Sequence, residues 1–97
     1  MKLAKLKIFA ARDSKLGVFM TPFFMMHQGQ ALRAWEEIVN DEKSVMSKHP
    51  ADFALYHLGE FDDDSGTVTM LEHHALLGSA LEYVKRPQEE LGLKAIR

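Results

Sequence analysis

At 97 residues the chain can bury one modest core, and its 46% hydrophobic and 27% charged composition argues against wholesale disorder. Cysteine is absent, which excludes disulfides and thiolate metal sites, and no long apolar run follows Met1-Lys2, so neither a signal peptide nor a membrane span is expected. A net charge of −2 excludes a global basic field, although residues 1–48 hold eight lysines and arginines against five acids while residues 49–97 hold four against nine. A mild asymmetry of this kind can steer a polyanion, pair two copies of the chain, or do neither.

Lys5 to Ala11 alternates Leu6, Ile8 and Ala10 against Lys5, Lys7 and Phe9, the period-two pattern of a half-buried strand. Arg12 to Gly17 is a polar connection, and the apolar run Val18 to Met26 returns as a second strand. Pro22 has no N–H to donate, so it marks an edge, a bulge or the end of that strand. In the stretch Thr21 to Asp41, the residues Ala31, Leu32, Ala34, Trp35, Ile38 and Val39 recur at spacings of three and four. This predicts an amphipathic helix whose apolar face carries the single tryptophan. Gln28-Gly29 is a modest start signal, and Asn40-Asp41 a plausible stop.

Glu42 to Pro50 is polar, with a helical turn expected around Ser44 to Met46, and His49 to Asp52 suits a proline turn. Phe53 to Phe61 is apolar on both faces, as a central, covered strand would be. Asp62 to Gly66 is an acidic turn, and Thr67 to Leu71 is its hairpin partner. From His73 to Lys85, the spacing of Leu76, Leu77, Ala80, Leu81 and Val84 predicts a short second helix, interrupted by Gly78-Ser79. The expected fold is therefore α+β, a two-layer arrangement in the order strand-strand-helix-strand-strand with a possible short C-terminal helix. Residues 1–87 form one domain in this reading, and 88–97 a flexible tail.

Chemistry is sparse. His73-His74 are adjacent and would diverge in either a strand or a helix, so no metal site is expected there. Asp62 to Gly66 lacks the acid spacing and closing glutamate of a calcium loop. No nucleophile elbow or phosphate-cradling glycine loop is present, and no cofactor or enzymatic activity is expected. The remaining candidate is basic and aromatic: Lys5, Lys7 and Phe9 on one face of the first strand, Arg12 and Lys15 beyond it, and Phe19 on its neighbour. Cations interleaved with aromatic rings on an open sheet can follow a phosphate backbone and stack bases. The competing interpretation makes the lysines ordinary surface residues and both rings core.

Several anchors then resemble a known family. Pro22 to Phe24, Ala31 to Trp35, Val39 to Asp41, Lys48 to Phe53 and Leu58 to Asp62 occur in the order found in the small nonstructural protein of gokushovirus-like microviruses, which are single-stranded DNA bacteriophages. The resemblance covers residues 5–70 or so. It implies a nonstructural protein of the host cell cytoplasm that binds single-stranded DNA or serves single-strand genome synthesis. Phage replication or packaging proteins would be its partners. From the residues themselves a homodimer is expected, since Pro22 marks an edge and the run Phe23 to Met26 is too apolar to leave bare, and no membrane partner is expected. Two rival readings are a protein–protein adaptor that touches no nucleic acid and a small dimeric α+β barrel enzyme. The enzyme would need a deep apolar pocket with polar groups near His57.

Overall fold

A computed structural model describes residues 5–85. It shows a small mixed α/β chain built on one curled, fully antiparallel sheet with few helices. The strands are β1 (Lys5–Asp13), β2 (Val18–Phe19), β3 (Phe23–Met25), β4 (Phe53–Asp62) and β5 (Thr67–Ser79). The helices are α1 (Gln28–Val39), α2 (Val45–Lys48) and α3 (Ala80–Tyr83), with a 3-10 turn at Pro50–Asp52. The sheet order is β2-β1-β4-β5, and β3 also pairs with β1.

Two expectations change, and the element order with them. The run from Val18 to Met26 is not one strand. Arg12 faces Phe19 and Asp13 faces Val18, then the chain breaks at Met20-Thr21-Pro22 before Phe23 to Met25 rejoin the same edge of β1 opposite Phe9 to Lys7. The expected helix over His73 to Lys85 is mostly strand: β5 runs to Ser79, and only Ala80–Tyr83 is helical. Gly78 has φ 155°, which no helix accommodates. Leu76 and Leu77, read as neighbours on a helix, instead point to opposite faces of the sheet. The order is thus three strands, two helices and two strands before the last helical turn. The tail expected at 88–97 lies outside the described residues.

Two turns share one device. In Asp13 to Gly17, the Asp13 carboxylate accepts the Lys15 N–H at 3.0 Å and the Gly17 N–H bonds back to the Asp13 carbonyl at 2.8 Å. In Asp62 to Gly66, the Asp62 carboxylate accepts from Asp64 at 2.9 Å and Gly66 returns to the Asp62 carbonyl at 2.7 Å. Gly17 and Gly66 close these turns at φ 73° and 78°, in the left-handed region open to glycine. The acidic loop is the turn its residues suggested.

The helix α1 starts at its expected signal but is capped one residue earlier, by His27, with the Gln30 side chain accepting the His27 N–H at 3.0 Å. Its Ala31, Trp35 and Val39 are buried with Phe9, Ala11, Phe53 and Leu55 in the main core cluster. Trp35 is 2% exposed, whereas Ile38, expected beside it, is 41% exposed. A second cluster, Ile8, Ala10 and Leu58, contains no helical residue. Consecutive residues Ile8, Phe9, Ala10 and Ala11 are therefore all buried, because both faces of β1 are covered.

Candidate nucleic-acid interface

Strand register sorts the side chains into two faces. Residues directly opposite each other in an antiparallel pair share a face, and alternate residues change face. Phe9, Ala11 and Leu55 lie on the α1 face. Ile8 and Ala10 lie on the other, where Ile8 sits between Phe24 and Gly59, and Ala10 is opposite Tyr56. Arg12 shares this second face with Phe19, and Leu6 shares it with Phe61.

What buries Ile8 and Ala10 there is a set of rings leaning across β1. Phe24 from β3 meets Phe61 from β4 edge-on, with centroids 5.9 Å apart. Phe19 from β2 meets Tyr56 from β4 at 5.6 Å and 74°, and His74 from β5 at 5.3 Å and 89°. Strands on either side of β1 stand about 9.6 Å apart, twice the usual interstrand spacing. Phe19 on β2 reaches His74 on β5 with both β1 and β4 between them, about 14 Å of interstrand spacing, so the sheet curls and this face is concave. These edge-to-face geometries are the favourable ones for aromatic pairs. The Arg12 guanidinium lies 5.7 Å from the Phe19 ring centre, within cation–π range.

The rings are not sealed in. Phe19 is 38% exposed and Phe24 46% exposed. Further along the face, Val68, opposite Phe61, and Leu76, opposite Tyr56, are both more than half exposed. The face thus offers an exposed aromatic array, one cation beside a ring and a rim of aliphatic side chains.

The six residues singled out from sequence divide. Arg12 and Phe19 come together here. Phe9 is 0% exposed, stacked on Phe23 and tilted against His57 in the core, so it is withdrawn as a stacking ring. Lys5 and Lys7 are on the α1 face at the opposite end of β1, where register sets Lys5 against Asp62 and Lys7 against Glu60. The Lys7 ammonium stands 3.8 Å from the Glu60 carboxylate. This pairing answers each β1 lysine with an acid from the acidic half of the chain. Lys15 is in the first turn, beside a shallow depression lined by Asp13, His49 and Asp52. Sequence reasoning missed Phe24, Tyr56, Phe61 and His74. No spacing in the sequence joins them, and only register shows that they meet.

The pocket needed by the enzyme reading has a different setting. A cleft of about 420 Å³ opens between α1 and the β2–β3 edge, lined by Met20, Phe23, Met25, Trp35, Ile38 and Met46, with Thr21 adding a hydroxyl. His57 is outside it, its Nε2 within 3.0 Å of the Gly59 carbonyl. Among the described residues no group of three or more histidines or acids is placed to hold a metal, and no helix is long and apolar enough to cross a membrane.

No curated protein and no solved structure matches the chain. A family does: the match to the Phage ORF5 protein family spans residues 6–83, from the first strand through the last helical turn, and so includes the segment after His73 that the sequence anchors left unplaced. With four-fifths of its length matched, the chain belongs to the Phage ORF5 family and is a bacteriophage protein.

Proposed function

We propose that this phage accessory protein binds single-stranded DNA on the concave sheet face, in the host cytoplasm, during genome synthesis by a microvirus-like phage. The observation that carries the reading is the pair of aromatic contacts across β1, Phe24–Phe61 and Phe19–Tyr56, with Arg12 within cation–π range of Phe19. Bases present flat π-faces to rings of this kind irrespective of sequence, and each stack contributes roughly 1–3 kcal/mol. The guanidinium can pair with phosphate while it stays beside the ring. The sequence anchors shared with gokushovirus-like proteins support the same role, which asks for no catalytic group.

The test is titration of the full-length chain with a labelled single-stranded oligonucleotide at low salt. Phe19→Ala and Phe24→Ala should each weaken binding about tenfold, within the range of one lost base stack. Both side chains are substantially exposed, so the fold should survive, as unchanged far-ultraviolet circular dichroism would verify. Variants that bind like the parent would remove DNA from this face. A parent that binds no DNA would favour the adaptor reading, which draws on one specific feature: Val68, Met70 and Leu76 on the same face are each more than 50% exposed. Phage replication or packaging proteins are then the partners.

A further inference from the structure

We infer that β5 is a self-pairing edge and that two copies of the chain join along it, antiparallel, about a two-fold axis at His73. β5 is the last strand of the sheet, pairing with β4 and, among the described residues, with nothing on its outer side. A bare edge is usually blunted by proline, by charge (lysine above all), by a bulge or by shortness, and of these β5 carries Glu72 and the ladder irregularity opposite Leu58. β5 runs for 13 residues without proline, lysine or arginine. The other edge is guarded: β2 and β3 are two and three residues long, and Pro22 stands between them.

The sequence of β5 is self-complementary about its centre. A two-fold at His73 sets Glu72 against the partner's His74, whose ring in the single chain meets Phe19 edge-on, and repeats that register by symmetry. It also sets Met70, 51% exposed, against the partner's Leu76, 59% exposed in the single chain. Thr67 meets the partner's Ser79 at the ends. A two-fold moved one residue to Glu72 would instead oppose the two carboxylates, which is unfavourable. The same central stretch lies at an irregularity of the β4–β5 ladder. Leu71, Glu72, His73 and His74 have no register partner on β4, where Met70 pairs with Gly59 and Ala75 with His57. A second copy of β5 on the outer side would offer this stretch backbone hydrogen-bond partners.

A two-fold normal to the sheet keeps like faces on one side. The two five-stranded sheets then become one, with both aromatic faces on the same surface.

The chain has no cysteine, so one can be introduced as the sole thiol. In the proposed register His73 faces its own copy, at the roughly 4.5–5.5 Å Cα separation of an antiparallel pair, which a disulfide spans. Full-length His73→Cys should oxidise to a covalent dimer at micromolar concentration. Thr69→Cys should not, since its two copies would lie eight residues apart along the strands, about 27 Å. By sedimentation, Glu72→Lys should weaken the dimer about tenfold, because each lost contact occurs twice. Adding His74→Glu to that variant should restore association. The inference is overturned if the parent stays monomeric at about 100 μM, if Thr69→Cys crosslinks as readily as His73→Cys, or if the charge-exchanged double variant associates no better than Glu72→Lys. None of these readouts contains DNA, so they stand or fall apart from the DNA reading.

Discussion

Gly59 shows how much one hydrogen atom in place of a side chain decides. It lies where the β4–β5 ladder slips, and a Cβ there would collide with the Thr69 carbonyl oxygen and stand 2.9 Å from the Met70 Cα. Both obstacles are backbone, so neither can rotate away. Gly59→Ala should therefore force the hairpin apart locally and cost about 1–3 kcal/mol, the usual range for overpacking. Gly29, in the first turn of α1, meets nothing within 4 Å and has ordinary backbone angles. Gly29→Ala should stabilise by about 0.4–1 kcal/mol by restricting the unfolded chain. Denaturant midpoints of the two variants should move in opposite directions; equal shifts would show that the close approach at Gly59 is not a constraint.

Among the elements, α3 depends on a residue that looked like a mere helix stop. The Asn40 side chain donates to the Glu36 carbonyl at 2.8 Å and to the Tyr83 carbonyl at 3.0 Å, and accepts the Lys85 N–H at 2.7 Å. It ties the end of the described chain to α1 more firmly than the exposed Lys85–Glu36 ion pair, 3.2 Å apart, since such pairs contribute little. Asn40→Ala should cost about 1–3 kcal/mol and speed hydrogen exchange at Val84 and Lys85, while β4 amides keep their protection. Uniform loss of protection would mean that α3 unfolds only with the whole domain. The local features were legible beforehand: period two in β1, period three to four in α1, and Asp-to-Gly turns are set by neighbours in sequence. β5 beyond Leu71 was not. Glu72-His73-His74-Ala75 has no β-branched residue and no alternation, because an edge strand exposed on both faces needs neither. The open face of β1 was equally illegible. Ile8, Phe9, Ala10 and Ala11 are apolar alike, and only the landing of α1 makes Phe9 core and leaves Phe19 and Arg12 at the concave surface.

For the whole molecule, the distribution of charge determines how DNA binding should respond to salt. On the concave face Arg12 is the cation that register places with the rings, while Lys5 and Lys7 face Asp62 and Glu60 on the other side. Each neutralised phosphate on a single strand contributes a slope of about −0.7 in log affinity against log salt. One Arg12 per chain predicts about −0.7, and two copies joined along β5 about −1.4. A fivefold rise in salt then lowers affinity about threefold or about tenfold respectively, with the remaining affinity supplied by salt-insensitive stacking. If Lys5, Lys7 and Lys15 also touched phosphate, a single chain would show a slope near −2.8 and lose almost two decades over the same range. Replacing Lys5 and Lys7 together by glutamine should accordingly leave both affinity and slope nearly unchanged, whereas Arg12→Gln should flatten the slope by about 0.7 per chain. Fluorescence anisotropy at four or five salt concentrations measures this directly. A steep slope abolished by the lysine changes would move the DNA to the α1 face and its acidic borders, and a steep slope that survives both substitutions would place the contact outside the strands altogether.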